Sequence, residues 1–318
     1  MFVKQCSKKK CRKIVKLKTT EVIITNYHSH SHYCDGKGSL EQQVQGAIAQ
    51  GLRAFGFSSH CPVPFENQWS MKAARLDDYL RETAALKEKY KGQIELYIGL
   101  EVDFLPETPP PAPPQLGRGE ITAPFSSAGI GPKDFPMLDY CVGSVHYVEL
   151  NQFGQPWEID GSSVEFLACL DTLYDGNIQV ALEKYYGIIR QMVETDAPPI
   201  VGHLDKIKMH NEARPLFDES EEWYVALMEE TLQTIKKAGC IVEINTRGNY
   251  KRGLELYPSP WIIARMNALN IPICINSDSH RPEEITASFP LAFEAARAAG
   301  YTHQRVLLEG KWQDVELN

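Results

Sequence analysis

The stretch 26–36 reads NYHSHSHYCDG, with histidines at 28, 30 and 32 and an acid at 35. The preceding residues 22–25, VIIT, are apolar or β-branched and suit a buried strand. In a strand, residues i and i+2 point to the same side, so His28 and His30 can aim two imidazoles at one point. That point could hold a metal ion. Taken alone, the run fits a polar strand end with solvated histidines equally well, and the rest of the chain has to decide.

Short apolar runs recur at 22–28, 54–60, 94–101, 140–146, 199–203, 241–245 and 271–278, with helical periodicity between most of them. Ser39 and Gln42 form a capping box opening a helix to about Gln50. Leu76, Tyr79, Leu80, Thr83 and Leu86 make one face of a second. Longer helices are expected from Ile178 to Glu194 and from Phe217 to Ala238, with Gly239 as a stop. Ser259 and Pro260 begin another, in the Ncap and N1 roles. Strand–helix alternation predicts an α/β fold with a parallel sheet, and seven such units favour a closed or nearly closed barrel.

Active sites in such barrels lie at the C-terminal strand ends. The runs here end in His28 and His30 with Asp35 beyond, then His60, Glu101, His146, His203, and Asp278 with His280. Six of the nine histidines stand at these positions, and core histidines have no reason to collect there. Nine imidazole and carboxylate side chains are too many for one ion, crowded for two and comfortable for three, especially with a bridging carboxylate. The donor set suits Zn, Mn or Fe, which leaves Cys34 and Cys61 as bystanders.

Composition narrows the partners. The first eighteen residues carry eight Lys/Arg and no acid, leaving 25 basic against 41 acidic side chains in the rest. So acidic a body is a poor general binder of nucleic acid. Residues 1–20 read as a disordered basic extension without the apolar core of a secretory signal, followed by a single domain over 21–318. Eight scattered cysteines with no CxxC pair fit free thiols in a cytoplasmic setting, and no apolar run is long enough to span a membrane.

With these residues in place, the chain resembles the polymerase-and-histidinol-phosphatase (PHP) superfamily. The resemblance lies in His28-x-His30 with Asp35-Gly36, His60, GLEVD around Glu101, GSVH around His146, GHLD around His203 and SDSH at 277–280. GLEVDFLP, LDYCVGSVHYV, VGHLDKIK and VEINTRG look most like its bacterial L-histidinol-phosphate phosphatase branch, and the match covers roughly residues 22–310. The resemblance implies a distorted seven-stranded, TIM-like (β/α)7 barrel of the PHP type holding three divalent ions. His28, His30, Glu101 and Asp278 would hold the first. Glu101 would bridge to a second held by His146 and His203, and Asp35, His60 and His280 would hold the third. Two departures stand out: Asn26 near the first motif, where the family often has Asp, and the proline-dense insertion 106–136, which excludes a regular helix.

The implied reaction is hydrolysis of a small phosphate monoester by a hydroxide bridging two ions, in L-histidine biosynthesis. Asp278 and His280 are candidates to protonate the leaving group. Arg247, just past the sixth strand, suits a phosphate contact, with Lys251 and Arg252 beside it. Glu243 and the Trp69 neighbourhood are candidate linings for the imidazole and amine, His32 for the site mouth, and His210 and His303 for the surface. Action on nucleotides or DNA/RNA ends is the nearest rival. An amidohydrolase would need a bridging Lys or its equivalent at strand four, where His146 stands, and a degenerate structural domain should have lost ligands.

Overall fold

A computed structural model of the chain describes residues 24–105, 137–150, 156–211, 214–253 and 255–317. The basic start at 1–20 and the insertion 106–136 lie outside the described residues. The first half contains β1 (Thr25–Asn26), α1 (Leu40–Ala49), β2 (Ala54–Phe57), α2 (Leu76–Lys89), β3 (Glu95–Ile98), β4 (Glu101–Asp103) and β5 (Val142–Ser144). An antiparallel pair follows, β6 (Tyr147–Leu150) with β7 (Pro156–Glu158), then α3 (Ser163–Tyr174), α4 (Ile178–Thr195) and β8 (Ile200–Val201). Next come α5 (Glu222–Ala238), β9 (Ile241–Asn245), α6 (Arg247–Arg252), α7 (Pro260–Ala268), β10 (Ile273–Asn276) and α8 (Phe289–Ala298). A final antiparallel pair joins β11 (His303–Leu308) to β12 (Lys311–Glu316).

The fold is α/β with parallel pairing, but among the described residues the parallel strands form two sheets, β1-β2-β3 and β10-β9-β8-β5-β4, and no closed seven-stranded ladder. Local chemistry explains both interruptions. Beside β1, side-chain amides take over from the backbone: Asn276 Oδ1 accepts from Tyr27 N at 2.8 Å, and Asn26 Oδ1 from Ser277 N at 3.3 Å. The run expected at 94–101 breaks between β3 and β4, at Gly99 and Leu100. A Cβ on Gly99 would lie 2.5 Å from the Tyr140 ring, so only glycine lets that ring in. The Tyr140 hydroxyl sits 2.7 and 2.8 Å from the Tyr27 and Phe57 carbonyls, at the ends of β1 and β2. Single bridges, Ser29 with Ser279 and His60 with Glu101, connect the sheets.

Tyr27 and Tyr140 pack with Val142, Ile200, Ile241 and Cys274, residues at the N-terminal ends of β5, β8, β9 and β10. The β11–β12 pair closes this end through Val306, Leu307 and Leu308, tied by Tyr27 Oη donating to the Leu307 carbonyl at 2.8 Å. The opposite, C-terminal strand ends are left for chemistry.

Around the strands, α1 and α2 bury one cluster, with all five expected residues of the α2 face inside. Helices α3, α4, α5, α7 and α8 bury a larger one. The Ser39–Gln42 capping box forms, and Gly239 ends α5 in the left-handed region at φ 76°. One helix start differs from expectation. Asn211 Oδ1 accepts from the Leu216 and Phe217 amides, which delays α5 to Glu222. Helix α7 starts at Pro260 with Ser259 as its N-cap residue, as expected, but the Ser259 hydroxyl donates to Glu219 and receives the buried Lys208 ammonium instead of capping the helix. Among the described residues, no helix is long and apolar enough to cross a membrane.

Candidate metal centre

Most of the chemically able side chains stand on the loops just past the strands, whereas Glu101 opens β4. His146 and His203 each lie two residues beyond β5 and β8, and Asp278 two beyond β10. His28, His30, Glu101, His146 and His203 are buried at 0 or 1 % exposure, while Asp35 and His280 are half-buried. Asp278 takes a left-handed φ of 53°, uncommon outside glycine, so the chain turns sharply at this carboxylate.

Glu101 is the hub. Its Oε2 lies 3.2 Å from His28 Nε2, 3.5 Å from His30 Nε2 and 2.9 Å from His60 Nδ1. Its Oε1 lies 3.0 Å from His203 Nε2 and 3.6 Å from His146 Nε2, and accepts from the Ser144 hydroxyl at 2.7 Å. Asp278 Oδ1 is 3.1 Å from His30 Nε2 and 3.8 Å from His28 Nε2. On the outer side, Asp35 Oδ2 is 3.0 Å from His280 Nε2. Asp35 Oδ1 is 3.9 Å from both His30 Nδ1 and His60 Nε2. His280 Nδ1 lies 3.0 Å from the Asp278 carbonyl; a proton donated there leaves Nε2 as the free lone pair.

Several inward atoms, His28 Nε2, His30 Nε2, His60 Nδ1, Asp35 Oδ1 and Glu101 Oε2, are buried with no hydrogen-bond partner among the described residues. Buried orphans cost free energy unless something accepts them, and divalent cations fit this imidazole–carboxylate donor set. Four groups bring ligand atoms within 4.8 Å of one another: His30/Asp35/His60/His280, His28/Glu101/His203, His28/His30/Asp278 and His60/Asp103/His146.

The electrostatics are those of mutually dependent charges. Burial would raise the Glu101 and Asp278 carboxyls, but facing cations hold both well below the usual range: His28, His60 and His146 for Glu101, His28 and Arg247 for Asp278. Burial and the neighbouring His280 and His60 push His30 well down. Burial opposes charge on His146 too, but the Asp103 carboxylate carries it up to about 9. His28 is raised against its burial by Glu243, Glu101 and Asp278. A bound cation replaces these protons.

Glu243, expected in a substrate lining, lies instead behind the cluster: fully buried on β9, with both oxygens 3.0 Å from His28 Nδ1. Asp103 Oδ1 stands likewise 2.6 Å from His146 Nδ1. Sequence reasoning missed Asp103, although it follows Glu101 by two and strand alternation puts both on one side.

In front of the centre opens a cleft of about 280 Å³ bordered by Asp35, His60, Asp278 and His280. Arg247, Lys251 and Arg252 line it, as does Lys206, which pairs with Asp160 at 2.9 Å; Trp69 and Glu158 form another part of the lining. Arg247 Nη1 donates to the Asp278 carbonyl at 2.9 Å. Lys206, Glu158 and Asp160 also escaped the sequence reading; Lys206 follows His203 by three in the same motif. His32 and His303 are exposed, and His32 is not among the cleft residues. His210, expected at the surface, is fully buried.

The PHP domain profile matches residues 26–247, which includes seven of the nine converging side chains. The chain belongs to the PHP domain family. Two relatives match over most of both chains. A probable histidinol-phosphatase of Deinococcus radiodurans is 27 % identical, over 86 % of this chain and 92 % of its own. The histidinol-phosphatase of Bacillus subtilis is 25 % identical, over 84 % and 97 %. Among solved structures, a Lactococcus lactis histidinol phosphate phosphatase complexed with zinc, L-histidinol and phosphate superposes with a TM-score of 0.63. It is 20 % identical and covers 91 % of this chain and 98 % of its own.

Proposed function

We propose that this PHP-family protein is a metal-dependent phosphomonoesterase that hydrolyses L-histidinol phosphate to L-histidinol and phosphate. One observation carries the chemistry: orphaned imidazole and carboxylate atoms converge under a cleft lined by Arg247, Lys251, Arg252 and Lys206. The names of the full-length relatives support the substrate. For the metals we propose three divalent ions, Zn, Mn or Fe. His28, His30, Glu101 and Asp278 hold one, Glu101, His146 and His203 a second, and Asp35, His60 and His280 a third. Bound there, the ions supply Lewis acidity toward phosphoryl oxygens and acidify water at neutral pH.

The chain's own residues do the rest. Arg247 faces the phosphoryl group while anchored on the Asp278 carbonyl, and Lys251 and Arg252 add positive potential at the rim. Asp278 and His280 line the floor of the cleft as ligands, and the Asp278 carboxyl, held well below the usual range, stays ionised and has no proton for the departing alkoxide. For the fold, we count β3 and β4 as one interrupted strand, giving seven around a distorted barrel joined by its two bridges.

The test is phosphate release from L-histidinol phosphate by metal-loaded protein, beside nucleotides, sugar phosphates and a short single-stranded DNA. A strong preference for L-histidinol phosphate is expected. Equal or better turnover of a nucleotide or a DNA end overturns the substrate and keeps the metal chemistry.

A further inference from the structure

The cleft is not uniformly basic. Trp69 packs edge-on to His60 at 4.4 Å and His146 at 5.3 Å, and stacks on Tyr147 at 5.6 Å and 12°. The indole is thus wedged against the metal-centre histidines on one side and β6 on the other. Its Nε1 donates to Glu158 Oε1 at 3.1 Å, which fixes the carboxylate of β7 in the cleft wall. Asp160 nearby is neutralised by Lys206, whereas Glu158 has no salt-bridge partner among the described residues. Burial and the adjacent Asp160 push the Glu158 carboxyl up, while the Trp69 hydrogen bond and His146 favour its charged form. A half-buried carboxylate held at the edge of an indole ring is a receptor for a cationic nitrogen. A monoester whose phosphoryl group meets Arg247 would carry its remaining atoms past this wall.

We propose that Glu158 and Trp69 form the specificity subsite of the cleft, receiving a cationic nitrogen on the tail of the phosphate monoester. This rests on the phosphomonoesterase reading above and adds its selection rule: aminoalkyl or imidazolyl-alkyl phosphates over neutral or anionic tails. Glu158 selects through charge, and Trp69 positions it.

The test uses the metal-loaded full chain and three substrates: L-histidinol phosphate, a simple aminoalkyl phosphate, and p-nitrophenyl phosphate as the neutral tail. The readout is the ratio of kcat/KM on each cationic substrate to that on p-nitrophenyl phosphate. Glu158→Gln keeps an oxygen for the Trp69 indole and removes the charge. It is expected to lower both ratios by about tenfold or more, as for a charged hydrogen bond. Glu158→Lys, which reverses the charge, is expected to lower them further. Ratios within about twofold of wild type in both variants overturn the subsite, as does an equal loss on all three substrates. If wild type prefers neither L-histidinol phosphate nor its neutral competitor while Glu158→Gln still lowers the aminoalkyl ratio, the substrate reading falls and the subsite stands.

Discussion

Glu243 backs His28, with both of its oxygens 3.0 Å from the ring Nδ1 on the side away from the cluster. The same carboxylate accepts from the His203 amide at 2.8 Å, Asn245 Nδ2 at 2.7 Å and Asn276 Nδ2 at 2.9 Å. Donors alone surround it, so it stays ionised despite full burial, held down by His28. Glu243 thereby holds the His28 proton at Nδ1, so that a bound cation would displace the proton at Nε2, the nitrogen facing Glu101 and Asp278. Glu243→Gln would place an amide NH₂ among these donors. The expected result is metal affinity about 10- to 100-fold weaker, read by competition with a chromophoric chelator. Unchanged affinity in a folded variant rules out the backing role.

Metal removal should be felt by fold and activity together. Glu101, His28 and His30 are almost wholly buried and mutually dependent, so stripping the ions leaves their orphaned atoms uncompensated. Exhaustive chelation is expected to abolish phosphate release and lower Tm, with both restored by Zn, Mn or Fe. Elemental analysis of the loaded protein should give about three equivalents per chain, and about two for His280→Ala. A loaded wild type with a single equivalent refutes the three-ion assignment.

Arg247 ties the phosphate wall to the metal floor, since its Nη1 donates to the Asp278 carbonyl at 2.9 Å and approaches the Tyr250 hydroxyl at 3.3 Å. Truncation removes both the brace and the cation proposed to meet the phosphoryl oxygens. Arg247→Ala is expected to lose about 100-fold in kcat, the scale of one preorganised donor to a developing oxyanion. Arg247→Lys restores charge without the planar fork, so it should recover KM better than kcat. If the alanine variant changes KM alone, Arg247 binds the ground state and transition state equally.

The convergence of these nine side chains was legible because two rules acted on single residues: strand alternation joined His28 to His30, and the strand-end rule gathered the others. What supports them was not. Glu243 is also a strand residue, but whether a carboxylate faces the cleft or the back of an imidazole depends on a neighbour 215 positions away. Trp69 and Glu158 meet across 89 positions, through a β6–β7 pair that no apolar periodicity announced. The interruptions in the strand ladder were hidden for a similar reason. Val-Ile-Ile-Thr and Ile-Glu-Leu-Tyr-Ile look like continuous strands, yet Asn276 and Tyr140 side chains take backbone partners at the seams. Composition reports which residues can pair, whereas competition between side chain and backbone is settled by packing.

His210 offers a pH test away from the metals. It is fully buried, stacked on Phe166 at 3.8 Å and 13°, with Nε2 2.6 Å from the Ile159 carbonyl and Nδ1 3.3 Å from the Ser163 hydroxyl. Donation from Nε2 to the carbonyl and acceptance by Nδ1 satisfy the neutral ring. Burial accordingly lowers its pKa, with Arg252 also opposing charge. The unfolded chain therefore binds this proton more readily than the folded one. The contribution to stability is fully present above the unfolded value of about 6.5 and declines as pH falls below it toward the lowered folded value. Urea unfolding of metal-free protein at pH 7.5 and 5.5, beside His210→Asn, should show wild type losing more stability on acidification than the variant. Parallel losses in the two proteins would mean that His210 is protonated equally in both states, against its buried, stacked geometry.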